Sequence, residues 1–399
     1  MLQNISVKNF RSIEEAEVEL SPITVFYGPT SSGKSTLLYA PLVLRNFVLS
    51  PNQQPDGLFN LGFMNLGGFE ACIFNHDKER GVTVAIAHGN AKDAASYGFS
   101  LWKSSADLRL KSGSTEMEAK VSVPYALNQT FTSSRTEGQE DFTINWNGIS
   151  CSVVPKNPTA QTQERARKLA TTLNASGEIL KRIDIAPHKR GFFKASYTPV
   201  QVSVSPPPTT EDEVASVVIN DNNLPARISA YAEEILGRDF RTQMPPGTAT
   251  VFFKTTEKNS RIPVDLVNDG FGVNQIIYLL SKILRVDVDT LLVEEPEIHL
   301  HPTIIRKFVR VLHTLVHDEG KQILLTTHSE QLLISLLALV SEGTARPDDL
   351  RFYLTTKDRR TTVFKKQSIK SNGQVEGGLS SFVEAELDDL MRFLGGKPK

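Results

Sequence analysis

The stretch GPTSSGKST, Gly28 to Thr36, constrains this chain more than any other. It has the pattern G-x-x-x-x-G-K-S, follows the apolar run ITVFY and precedes KSTLLYAPLVLRNFVL, which has the length and apolar spacing of a helix. A strand, a glycine-rich turn and a helix in that order aim backbone N–H groups and the positive end of the helix dipole at one point, an arrangement suited to phosphate. Lys34 is then placed to reach the β- and γ-phosphates, and the Ser35 hydroxyl to ligate Mg²⁺. Pro41 is expected to bend that helix or end its first part.

A second stretch, LLVEEPEIHLHP from Leu291 to Pro302, sets two carboxylates where an apolar strand runs out. Adjacent acids there can simply be solvated, and two histidines beside three glutamates also suit a metal site. A phosphate loop in the same chain adds a third reading. Glu294 stands where a metal-associated acid is needed, and Glu295 where a carboxylate must polarise an attacking water. Pro296 ends the strand, and Pro302 fits the first turn of a helix whose apolar face is Ile304, Ile305, Phe308, Leu312 and Leu315. A further strand, QILLTTHS, ends at His328. A histidine at a strand end is often structural; beside a phosphate loop and an acidic strand, His328 reads as a γ-phosphate contact.

Composition narrows the alternatives. With 399 residues and 40% apolar content the chain can bury a large core in two or three units. A net charge of −1 gives no global footprint for nucleic acid or an anionic membrane. Cys72 and Cys151 lack any metal or disulfide spacing, which fits a reducing cytoplasm. No stretch approaches the roughly 20 apolar residues of a membrane span, and the N-terminus is not a signal peptide.

Along the chain, ISVKNF, EAEVEL and ITVFY read as strands. From about Val82 to Val154, short β-like runs divided by Gly, Asn, Ser and Pro suggest an antiparallel insert. Helices are expected over about Gln161 to Arg182 and Pro225 to Gly237, with an exposed loop from Ser205 to Glu213 between them. From Leu266 onward strands and helices alternate, which implies a parallel sheet completed by strands from both ends of the chain.

Taken together, these motifs resemble the ABC-type P-loop ATPases, in the SMC/RecF-like branch that includes the OLD-family ATPases. VKNFRS resembles that branch's opening motif, GPTSSGKS its Walker A, LLVEEPEIHLHP its Walker B and D-loop, and TTHS its switch histidine. The resemblance covers roughly residues 1–75 and 185–340. It implies an α/β fold: an ABC-type ATPase head with a mostly parallel sheet, plus an antiparallel β-rich and helical insert. The expected division is 1–75 and 186–345 for the two parts of the core, 76–185 for the insert, and 346–399 for a C-terminal hairpin and helix.

The nucleotide-binding residues so implied are Asn9, Arg11, Ser12, Gly28, Pro29, Thr30, Ser31, Ser32, Gly33, Lys34, Ser35 and Thr36. Ser35 and Glu294 would hold Mg²⁺, and Glu295, His328 and Lys34 would carry catalysis. LVNDGFGVNQ lies where the branch carries its signature, so Gly270, Gly272 and Asn274 would reach a partner's γ-phosphate in trans. On the residues alone, that segment is also a plain capping turn. Glu294 replaces the usual Asp, and Asn274 stands where many members carry Ser. Gln53 and Gln54 fall in the region of the Q-loop, with nothing to single out either. The tail lacks the acidic arrangement of a Toprim nuclease, so OLD-like nuclease activity would come from a partner.

The implied function is hydrolysis of ATP to ADP and phosphate in an ATP-sandwiched homodimer, coupled to a partner protein or to nucleic acid as in DNA repair or anti-phage defence. The alternative is a nucleotide-gated dimeric switch with negligible hydrolysis that controls an effector such as a partner nuclease. A GTPase fits less well, since TTKDRR has the wrong spacing for a guanine-specificity element. APHKRGFF, and the cluster Lys357, Arg359, Arg360, Lys365 and Lys366, read first as solvated surface and second as nucleic-acid contacts.

Overall fold

The structure, a computed structural model, describes residues 1–89, 94–137, 140–202, 207–376 and 378–379. The acidic helix expected over FVEAELDDLMRFLG lies outside the described residues.

The chain opens with an antiparallel pair, β1 (Leu2–Phe10) and β2 (Ile13–Glu19), joined by a tight turn in which Asn9 and Arg11 take positive φ. β3 (Ile23–Tyr27) is buried at every residue, as a strand covered on both faces must be. The glycine turn leads into α1 (Lys34–Leu49), which runs unbroken through Pro41. Residues on nearly every side of α1 are buried, and that packing outweighs the lost backbone hydrogen bond. Two short helical turns, α2 (Pro55–Leu58) and α3 (Phe69–Cys72), follow.

Next come β4 (Val82–His88), β5 (Ala95–Leu101), β6 (Ser105–Ser112) and β7 (Thr115–Ser122). Their alternating burial is that of strands with one face on a core. They extend the first pair into one antiparallel sheet, β2-β1-β4-β5-β6-β7. The opening strands therefore pair with the β-rich segment, while β3 alone of the first three joins the other sheet. β8 (Phe131–Glu137), β9 (Glu140–Trp146) and β10 (Cys151–Pro155) form a small sheet against α4 (Ala160–Lys181), which starts at a Thr159/Thr162 capping box.

β11 (Ile183–Ala186) returns to the core. The loop expected through Glu213 gives way to α5 (Glu211–Asn220), because Thr210 and Glu213 close a capping box immediately after the prolines. α6 (Leu224–Leu236) precedes a three-stranded ladder, β12 (Arg238–Gln243), β13 (Phe252–Glu257) and β14 (Pro263–Asp265). Then alternate α7 (Phe271–Ile283), β15 (Thr290–Glu294), α8 (Pro302–Asp318), β16 (Gln322–Thr327) and α9 (Glu330–Ser341), before the hairpin β17 (Leu350–Asp358) and β18 (Thr361–Gln367).

The main sheet has the order β11-β15-β16-β3-β17-β18, parallel except for β18. Its two faces carry separate apolar cores: Leu292 and Leu324 pack on one side, Leu291, Val293, Ile323 and Leu325 on the other. The register sets Tyr27 opposite Thr327 and Thr326 opposite Glu294. Gly28, Glu295 and His328 consequently leave the sheet at the same carboxyl edge, where open α/β sheets bind ligands. Among the described residues no helix is long and apolar enough to cross a membrane.

Candidate functional site: a phosphate loop facing an acidic strand

The phosphate loop depends on glycine at two positions. Gly28 (φ 139°) and Gly33 (φ 102°) lie outside the range of ordinary side chains, and a Cβ on them would stand 2.2 Å from the Thr355 carbonyl oxygen and 2.2 Å from the Thr362 hydroxyl, respectively. The β17–β18 hairpin is thus packed directly on the loop. Thr362 tightens that contact, its Oγ1 donating to the Ser32 carbonyl at 2.9 Å and its N–H to the Ser12 carbonyl at 2.7 Å. Gly33 caps α1 without any side-chain acceptor, which leaves first-turn N–H groups available to an anion.

A cavity of about 800 Å³ opens in front of the loop. Of the residues expected to bind nucleotide, Arg11, Ser12, Thr30, Ser31, Gly33, Lys34, Ser35 and Thr36 line it, together with Glu295 and His328. Gly28 and Pro29 contribute from behind, their carbonyls accepting from Lys34 Nζ at 3.0 and 2.9 Å. The Ser32 hydroxyl is buried and has no hydrogen-bond partner among the described residues. Asn9 does not face the cavity: its amide donates to the Gly81 carbonyl and accepts from Arg80. Gln53 and Gln54 are exposed and lie outside the cavity lining.

At the acidic end, β15 delivers Glu294 into a buried position, 5% exposed. One carboxylate oxygen accepts from the Tyr39 hydroxyl at 2.7 Å, the other from the His188 N–H at 3.0 Å. Glu295 then takes a left-handed backbone conformation (φ 44°), uncommon for a residue with a side chain and concentrated at functional sites. That turn brings its carboxylate 3.4 Å from His328 Nε2 and 3.5 Å from His188 Nδ1.

His328 Nε2 lies 2.9 Å from Lys34 Nζ. Burial, then the neighbouring Lys34 charge, lower the histidine's pKa against the pull of Glu295, so the ring is neutral at pH 7 and accepts from the ammonium. Burial likewise lowers Lys34 to about 8, opposed by Glu295 and Glu297. Both groups are poised to gain stabilisation from an incoming polyanion.

Besides His188, three residues of this site escaped sequence reasoning. Glu297 accepts from the Thr327 hydroxyl at 2.5 Å and from the His328 N–H at 3.1 Å, which fixes the histidine's backbone; burial raises its pKa. Tyr39 sits one turn into α1, four residues after Ser35, and donates its hydroxyl to Glu294. Arg190, 2% exposed, donates to the carbonyls of Pro187, Glu294 and Glu295. Its segment, APHKRGFF, had suggested surface or nucleic-acid contact. Instead Arg190 and Phe192 are buried, and the guanidinium braces the end of the acidic strand from behind. Four-residue spacings within α1 could have flagged Tyr39; Arg190 carries no local signal.

Of the expected metal pair, Ser35 lines the cavity and Glu294 accepts from Tyr39, one turn further along α1. A hydroxyl and a carboxylate are the hard oxygen donors Mg²⁺ accepts, with phosphate oxygens and water completing its shell. The residues fit that ion. The other metal reading of EEPEIHLHP does not fit: His299 lies tilted against Phe271, ring centres 5.4 Å apart, and His301 caps α8. Among the described residues no group of three or more His, Cys, Asp or Glu could hold a metal.

The signature segment lies away from this cavity. Gly270 is the exposed N-cap of α7, without a side-chain cap. Gly272 approaches the His299 carbonyl so closely that a Cβ would stand 2.7 Å from it. Phe271 between them is 62% exposed. Asn274 is 4% exposed, and both polar atoms bond the Phe192 backbone at 2.7 Å. That side chain is committed within its own protomer.

Comparison with known proteins agrees with this geometry. Residues 1–82 and 118–333 match the family described as "AAA ATPase domain". Among solved structures the chain is similar to an SmcHead bound to the C-winged helix domain of ScpA, at 12% identity and TM-score 0.51, covering 92% of this chain and 98% of that one. It is also similar to the SMC head domain from Thermotoga maritima (10% identity, TM-score 0.44, 92% and 98% covered). The Smc head of Pyrococcus furiosus with the C-terminal domain of ScpA gives 8% identity and TM-score 0.47, with 99% and 98% covered. No curated protein matches the chain. With its phosphate loop, acidic strand and histidine gathered at one sheet edge, the chain belongs to the AAA ATPase domain family.

Proposed function

We propose that the protein binds ATP and hydrolyses it to ADP and phosphate, and that two protomers close on two ATP molecules. The carrying observation is the convergence of Lys34, Glu295 and His328 at one end of the cavity in front of the phosphate loop. In this reading the loop N–H groups and Lys34 hold the β- and γ-phosphates, and Arg11 and Ser12 approach from the β1–β2 turn. Glu295 orients a water in line with the γ-phosphorus and draws off its proton. His328 contacts the γ-phosphate, and His188, beside Glu295, helps hold the carboxylate's orientation. Mg²⁺, held by Ser35 and Glu294, would neutralise charge on the phosphate oxygens.

Dimerisation is supported by the exposed, uncapped start of α7 with Phe271 at its head. The trans contact is assigned to the backbone of Gly270 to Gly272 rather than to Asn274. A partner protein on the head is supported by analogy to the SmcHead solved with a domain of ScpA. Phosphate release by the wild type beside Lys34→Ala tests the proposal: the wild type should turn over ATP and the variant should not. A wild type that binds ATP without turnover would favour the nucleotide-gated switch instead.

A further inference from the structure

The cavity has a second wall that the reaction above does not use. β17 pairs with β3 up to Leu354 opposite Tyr27, then continues to Asp358, so the hairpin rises on the order of 13 Å beyond the sheet's carboxyl edge. Its tip places Lys357, Arg359 and Arg360 on the cavity, on the opposite side of the phosphate loop from Glu295 and His328. All three are exposed, and among the described residues none forms an ion pair. The rest of the basic cluster behaves differently. Lys366 is tied to Glu19 at 2.5 Å, and Lys365 lies outside the cavity lining. Arg359 also occupies the first position of a two-residue turn at φ 54°, where glycine is the favoured residue.

The γ-phosphate end of the site is marked by Lys34, His328 and Glu295, so the nucleoside of a bound triphosphate extends away from them. That direction leads to Ile73, Asn75 and His76 on one side and the hairpin tip on the other. Asn75 and the tip arginines also line one adjoining cavity of about 400 Å³, together with Glu14 and Asp358. An apolar side chain, an amide and planar guanidinium groups are the surroundings a base and an α-phosphate call for.

We propose that Lys357, Arg359 and Arg360 form the nucleoside-side wall of the cavity and hold the α-phosphate and base of a nucleotide bound by the same protomer. The inference rests on reading the cavity as an ATP site. Calorimetric titration of the full chain with ATP, ADP and inorganic tripolyphosphate, each with Mg²⁺, tests it against the triple variant Lys357→Ala, Arg359→Gly, Arg360→Ala. The single variant Arg359→Gly, which suits the turn, serves as a second probe with the fold secured. The expected result is a loss of about tenfold or more in affinity for ATP and ADP alike in the triple variant, a smaller equal loss in the single one, and a clearly smaller loss for tripolyphosphate, which keeps an α-phosphate equivalent but has no base. ATP affinity equal to wild type, or an equal loss for tripolyphosphate, would overturn the proposal. A wild type that binds none of the three would overturn the ATP-site reading beneath it.

Discussion

Lys34 Nζ and His328 Nε2, from the phosphate loop and from the end of β16, meet at 2.9 Å with the Glu295 carboxylate beside them. The lysine is thus held by a neutral histidine and by two carbonyls of its own loop. A triphosphate entering the cavity competes for that ammonium and must draw it away from these partners.

The pH dependence follows from Lys34. Its pKa of about 8 in the free protein rises when phosphate binds, because the anion favours the charged form. ATP affinity is therefore full below pH 8 and declines as pH increases through it, with proton uptake on binding in that window. Calorimetry in buffers of different ionisation enthalpy reads that uptake; a flat affinity from pH 7 to 9 would refute the assignment.

Tyr39→Phe removes the hydroxyl that donates to Glu294. A charge-assisted hydrogen bond at a buried carboxylate contributes about 1.5–3 kcal/mol, and urea denaturation should register a loss of that order. Unchanged stability would mean that another donor replaces the phenol.

Arg190→Ala leaves three backbone carbonyls short of a donor, two of them at the end of the acidic strand. A destabilisation of about 3 kcal/mol is expected, with turnover lower even in the folded fraction. Wild-type turnover in that fraction would show that the brace does not position Glu295.

Asn274→Ser distinguishes a role within the protomer from one across the dimer. The shorter side chain cannot span both bonds to Phe192, so the protein should lose about 1–2 kcal/mol of stability without any nucleotide present. If instead stability holds and only ATP-dependent dimerisation changes, Asn274 acts on the partner after all.

What the sequence reveals here is what short-range pattern encodes. The strand, glycine turn and helix around Lys34 are contiguous and legible from spacing, and the acids closing β15 become legible beside them. The partners of β1 are not legible in that way, since an alternating strand looks the same whichever sheet receives it. α5 was hidden by the prolines before it, although Thr210 and Glu213 carried the capping signal. The brace at Arg190 and the basic tip at Arg359 become visible only when segments from opposite ends of the chain are brought together, and charge composition alone reads both as surface.

The most direct test is the Glu295→Gln variant, assayed for ATP turnover and for mass in solution with and without ATP and Mg²⁺. The arrangement described here predicts that wild type hydrolyses ATP, while the variant loses hydrolysis and accumulates as an ATP-dependent dimer. A variant that hydrolyses ATP at the wild-type rate, or that stays monomeric with bound ATP, would contradict Glu295 as the water-orienting carboxylate of a nucleotide-closed dimer.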